Sequence, residues 1–110
     1  MEYACGNIFI REMRFAKKGD VVDGHSHNFD HTTYCVRGGL LVEKLDKAGE
    51  AIASAEVQAA EGMNWILILA NVAHRITALE DGSLGHCVYA HRTPQGKVVQ
   101  EYTGWGPAYT

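Results

Sequence analysis

Three of the chain's six histidines, His25, His27 and His31, fall within seven residues of the segment GDVVDGHSHNFDHTTYCVRG. In an extended strand, side chains two apart share a face, so His25 and His27 project together. His31 keeps that parity if the chain stays extended or turns tightly between them. Two neutral imidazoles at that spacing can share a metal ion at about 2.0–2.1 Å from each nitrogen. A third makes a cage, and the candidate for a fourth is His74. It follows the apolar run WILILA across the turn ANVA, where a barrel would bring a second hairpin against the first. Neutral imidazole suits transition metals better than magnesium or calcium, which take oxygen ligands. A helical H-x-x-x-H reading of His27 and His31 lacks the glutamate that a zinc protease carries beside its first histidine.

Other chemistry-bearing residues have plainer readings. Asp30 reads as a solvated turn carboxylate, with orientation of a ligand histidine as its alternative role. Thr33 and Cys35 share the parity of His31, and a buried cysteine is ordinarily a small hydrophobe. His86 and His91 fall on opposite faces of one strand, one inward and one outward. Trp65 reads as core, Met13, Phe15, Phe29 and Met63 as barrel lining, and Trp105 and Tyr109 as cover or interface.

The elements that must position these groups are short β-rich runs separated by glycine or acidic turns, with little helical periodicity. IFIREMRF makes a first strand, VVDGHSH leads into the histidines, and TTYCVRG is a strand closed by Gly38 and Gly39. LLVEKL turns at DKAGE and returns as AIASAEV, a hairpin. SAEVQAAEGM could support a turn or two of helix, but Gly62 and its shortness favour strand plus turn. MNWILIL is nearly continuous in apolar residues and is expected to be buried on both faces or central in a sandwich. HRITAL and LGHCVYAH complete seven to nine strands, an all-β sandwich or small barrel. The tail from Arg92 is expected to pack over the barrel's outside or against a second subunit.

At 110 residues with 46% hydrophobic and 21% charged content, the sequence describes one globular domain spanning 1–110. A net charge of −3 with scattered basic residues excludes a nucleic-acid footprint, and no apolar run is long enough to span a bilayer. Cys5, Cys35 and Cys87 form no CxxC pair, which argues against a disulfide framework. The N-terminal segment has no secretory character, so a reducing cytoplasm is the expected location.

The order Gly19, His25, His27, His31, Gly38 resembles the first signature of the cupin family with every spacing kept; His31 stands where the family usually has glutamate. The second signature is met in part. Gly62 opens it with one residue too many, His74 is in register, Leu69 and Asn71 replace the usual proline and glycine, and Ala78 replaces asparagine. Asparagine enters the left-handed region readily, so Asn71 is a tolerable stand-in. The resemblance implies a cupin-type β-barrel or jelly roll (double-stranded β-helix). It also implies one divalent transition metal (iron, nickel, zinc, manganese or copper) on His25, His27, His31 and His74. Without the glutamate, four neutral histidines leave the metal's full charge for an incoming anion. The resemblance thus implies a metal-dependent, oxygenase-like enzyme acting on a small anionic organic molecule, as a homodimer. A non-catalytic ligand- or metal-binding module, or a lyase or isomerase, are its alternatives.

Overall fold

A computed structural model describes residues 2–27, 30–62, 64–90, 95 and 103–105, with the side chains of 2–5, 23–25, 27, 61 and 103–105 outside the described set. Ten strands are present among these residues: β1 (Glu2–Cys5), β2 (Ile8–Arg14), β3 (Val21–His27), β4 (His31–Arg37), β5 (Gly39–Leu45), β6 (Ala51–Gln58), β7 (Trp65–Ile68), β8 (His74–Ala78), β9 (Leu84–Ala90) and β10 (Thr103–Trp105). They form two five-stranded sheets, β1-β2-β9-β4-β7 and β10-β3-β8-β5-β6, hereafter the first and second sheet. Every pairing is antiparallel. The fold is therefore all-β, and SAEVQAAEGM resolves into the end of β6 and a single 3₁₀ turn, Ala59–Glu61. No helix of the described residues is long and apolar enough to cross a membrane.

Alternation builds the core. In β4, His31, Thr33 and Cys35 are buried while Tyr34 and Val36 are exposed; in β8, His74, Ile76 and Ala78 are buried between half-buried neighbours. With Phe15, Leu40, Val42, Val57 and Ile68 these apolar side chains form one cluster between the sheets, with Met13 packed against it. Fully burying a side chain such as Leu40 or Ile76 contributes roughly 1.5–3 kcal/mol.

The chain changes sheets between β2 and β3, β3 and β4, β4 and β5, β6 and β7, β7 and β8, β8 and β9, and β9 and β10. At the β4–β5 crossing, Gly38 has φ +72°, and a Cβ there would lie 2.5 Å from Ser83 Oγ. Ser83 Oγ in turn accepts the Gly39 N–H at 3.3 Å and has the Glu80 and Gly39 carbonyls at 2.9 and 3.0 Å as acceptors for its one proton, fastening this end of the two sheets. Gly19, also at positive φ (+90°), donates its N–H to the Ala78 carbonyl at 2.8 Å at the same end. The two glycines that frame the histidine segment thus mark backbone turns that a Cβ would disfavour.

Two expectations need correction. The strand β7 in the run MNWILIL is not buried on both faces, because one face of the first sheet is turned to solvent: Trp65 lies opposite the exposed Tyr34 of β4 on that face. Burial along β7 alternates, and Trp65, expected in the core, is 51% exposed, with Leu67 at 53%. Ten strands exceed the expected seven to nine; the additional pieces are β1, beside β2, and β10, which brings three tail residues alongside β3. Phe29, Met63, His91 and Tyr109 lie outside the described residues, as does the side chain of Trp105.

Candidate metal centre

The four expected ligands come from one end of the two sheets. His25 and His27 close β3, His31 opens β4 and His74 opens β8, so the β3–β4 and β7–β8 crossings stand together there. A bulge between Val22 and His25 leaves Asp23 and Gly24 opposite Arg75, so the register pairs Val22 with Ile76 and His25 with His74. Residues directly opposite one another share a sheet face. The extra residue therefore brings position 25 into the row of His74, where simple alternation from Val22 would have put Gly24 and Ser26.

His31, from the first sheet, and His74, from the second, meet across the interior. Their ring centroids are 5.4 Å apart at an interplanar angle of 48°, and the residues are 2% and 1% exposed. Two imidazoles at adjacent positions on one ion have ring centres roughly 4.5–5.5 Å apart, given metal–nitrogen bonds of about 2.0–2.1 Å. The observed separation fits. His74 Nδ1 lies 2.9 Å from the Val72 carbonyl, which can only accept, so Nδ1 carries the proton and Nε2 keeps the lone pair. Burial lowers the pKa of His74 from the usual imidazole value, with the Val72 bond opposing more weakly, so the ring is held neutral. A neutral, oriented imidazole with a carbonyl behind its other nitrogen is the form in which histidine binds metals. No third His, Cys, Asp or Glu joins this pair among the described residues; the side chains of His25 and His27 are not among them.

The turn before His74 is built for the task. Asn71 has φ +63°, the left-handed conformation expected of it, and the Val72 N–H donates to the Leu69 carbonyl at 3.3 Å. Asp30 is more than a solvated turn residue. Its carboxylate accepts the Ala70 N–H at 2.7 Å, joining the residue before His31 to the turn before His74.

The remaining candidates stand apart from this pair. Cys35 is fully buried, its thiol directed at the Arg37 and Gly38 carbonyls at 3.4 Å each, and burial raises its pKa. The Cys87 thiol, also raised by burial, lies 3.4 Å from Thr33 Oγ1. Both read as packed thiols rather than nucleophiles. His86 is on the outer face of the first sheet, 3.1 Å from the Glu12 carboxylate, which also accepts from Arg14 at 2.7 Å; those two bonds hold the Glu12 pKa low. Two residues outside the histidine pattern also stand near the pair: Tyr89, 6% exposed, lines a cavity with His31 and Asp30, and Lys44 lines one with His74. Tyr89 shares the parity of Cys87 in LGHCVYAH, which places both on the inner face of the strand.

No protein-family model matches the sequence, and no curated protein matches it. Among solved structures the chain is similar to oxalate decarboxylase from Bacillus subtilis, with a TM-score of 0.64 and 21% identity over 90% of this chain and 24% of that one. The coconut allergen cocosin matches with a TM-score of 0.66 at 16% identity, over 90% of this chain and 24% of that one. Pumpkin seed globulin matches with a TM-score of 0.65 at 16% identity, over 90% and 23%. These are cupin-fold proteins, and the fold of this chain is the cupin fold, a jelly roll of two antiparallel sheets. The chain spans about a quarter of the length of these neighbours.

Proposed function

We propose that this protein is a metal-binding cupin in which His25, His27, His31 and His74 hold one divalent transition metal, and that it acts as an enzyme on a small anionic organic molecule. The observation that carries the reading is the meeting of His31 and His74, two buried rings from different sheets, 5.4 Å apart, with His74 oriented through Val72. The metal, when bound, supplies Lewis acidity and open coordination positions, which suits oxygenase-like or related chemistry. The chain's own residues do the rest. Val72 fixes the His74 tautomer, and Asp30 fixes the spacing of the two crossings. Four neutral ligands leave the cation's charge uncompensated, which favours an anionic partner. One neighbour of this fold is an oxalate decarboxylase, whose named substrate is such an anion.

A second reading is a non-catalytic ligand- or metal-binding module, since the same fold serves seed globulins. It is favoured by one observation. The carboxylate beside the His74 cavity, Glu43, is already paired with Arg75 at 3.0 Å and is no ready general base. Metal analysis of protein purified without chelators decides the first step. Near-stoichiometric transition metal in the parent, lost in His31→Ala and His74→Ala, supports the centre; equal metal content in all three sinks it. Turnover of small keto acids, diketones or catechols by the loaded protein then separates enzyme from module.

The proposed assembly is a homodimer in the cytoplasm. The outer face of the first sheet supports the pairing, because Ile8, Tyr34, Trp65 and Leu67 are each 39–53% exposed there. At about half of each side chain these expose roughly 400 Å² of apolar surface, a large part of the ~800 Å² that each partner gives to a standard interface.

A further inference from the structure

A cavity of about 250 Å³ opens between the sheets beside His74. Its walls are mostly apolar, with Val42, Ala55, Ile66, Ile68 and Val72 contributing, and Lys44 lines it as well. The register that pairs Leu40 with Ala78 and Val42 with Ile76 pairs Lys44 with His74, which puts position 44 on the face of the two buried residues, just before the register shift at Leu45. The register partners of Lys44 are His74 on β8 and Ala53 on β6, so one row across the second sheet reads His25, His74, Lys44, Ala53. Directly opposed residues have Cβ atoms about 4.5–5.5 Å apart. Lys44 lines the cavity and is exposed; a lysine so placed can lay its aliphatic stem on apolar surface and keep its ammonium in water. The neighbouring carboxylate, Glu43, also lines the cavity and is bonded to Arg75 at 3.0 Å. Among the described residues no carboxylate pairs with Lys44.

A cation whose one carboxylate neighbour in the cavity lining is already committed to Arg75, at a mostly apolar cavity and in the row of a buried imidazole, is a recognition element for an anion with an apolar body. The volume lies below the ~300–1,000 Å³ of pockets for drug-sized ligands, so that body is short. We propose that Lys44 is the specificity-determining residue of this site, selecting a short apolar carboxylate whose charged end lies between Lys44 and the histidines and whose body lies against Val42, Ala55, Ile66 and Ile68. The inference rests on the proposed metal centre for the ligand's reaction but not for its binding, and its test separates the two.

Hexanoate is the probe, with hexan-1-ol as the neutral control, titrated at low ionic strength into the full chain, zinc-loaded and chelator-treated, with isoleucine methyl resonances and calorimetry as readouts. Hexanoate is expected to shift the Ile66 and Ile68 methyls. Lys44→Gln should weaken it about tenfold, the effect of one charge-assisted contact near the surface, and flatten its salt dependence. Lys44→Arg should retain binding, and hexan-1-ol should be unaffected by either change. Because Lys44 is exposed, both variants should melt as the parent does. Equal hexanoate affinity in parent and Lys44→Gln, or binding that leaves the cavity methyls unmoved, overturns the proposal. If the parent takes up no metal but Lys44→Gln still loses hexanoate, Lys44 keeps its role and the metal centre falls. If metal binds through the histidines and hexanoate ignores Lys44, the reverse holds.

Discussion

The Asp30 carboxylate accepts the Ala70 N–H at 2.7 Å across forty residues of sequence, and this one bond joins the two crossings that deliver His31 and His74. The partners are exposed or half-buried, so the bond's net contribution is about 1 kcal/mol. Asp30→Ala should lower the melting temperature by a few degrees and weaken metal binding more than stability. Asp30→Asn, which keeps an accepting oxygen, should restore most of both. Thermal melts and a metal titration on the two variants check this; equal loss in both would assign the effect to charge rather than to the bond.

Removing the metal should destabilise the protein in proportion to its occupancy. A ligand that binds only the folded state adds RT ln(1 + [L]/Kd), about 2.7 kcal/mol at a hundredfold excess over Kd. A chelator should therefore lower the melting temperature of the parent visibly and leave His74→Ala unchanged. A parent whose melt ignores both chelator and added metal would speak against the centre.

Acid should act on the metal-free protein through His74. Its folded pKa lies below the usual imidazole value of 6.5 because burial disfavours the charged ring. The unfolded chain therefore binds the proton first. The stability of the neutral ring is complete above about pH 6.5 and falls, by at most about 1.4 kcal/mol per pH unit for one proton, as pH drops from there through the folded pKa. Denaturant melts from pH 8 to pH 5 should show this slope in the parent and a shallower one in His74→Leu. The metal-loaded protein should lose its ion over the same window, since protonation removes the ligand's lone pair.

Gly38→Ala should cost about 2 kcal/mol or more, because it combines a Cβ at φ +72° with a 2.5 Å approach to Ser83 Oγ. Gly82→Ala, also at positive φ (+71°) but facing open space, should cost less. Comparable losses at the two positions would mean that the Ser83 contact is relieved cheaply.

The outer face of the first sheet should make the protein a dimer. Light scattering is expected to give twice the chain mass for the parent and a monomer for Trp65→Glu/Leu67→Glu. A monomeric parent ends that expectation.

Much of this was legible in the residues, for identifiable reasons. The alternation of His31, Thr33 and Cys35 predicts a buried face, and Asn71 predicts a left-handed turn; both depend only on local chemistry. What was misread depends on pairing between distant segments. Trp65 and Leu67 sit in an apolar run, and nothing within that run says that they share the outer face of the first sheet with Tyr34. The bulge at Asp23 and Gly24 was hidden as well, because a period-two reading has no place for an extra residue. Lys44 escaped notice because a lysine in a strand reads as solvent-facing, and only the register with His74 places it in the interior row.

Ser83 ties the sheets together at one end, where its hydroxyl accepts the Gly39 N–H, and strands of about seven residues separate that knot from the histidines, a span of roughly 20 Å. The barrel is therefore built like a clothes peg, with a permanent spring at the Ser83 end and jaws at the His31–His74 end. An ion between the jaws would do mechanical as well as chemical duty. Its departure would let the histidine end part while the glycine end stayed shut, so that amide exchange would quicken at Thr32 and Arg75 and hold steady at Gly39.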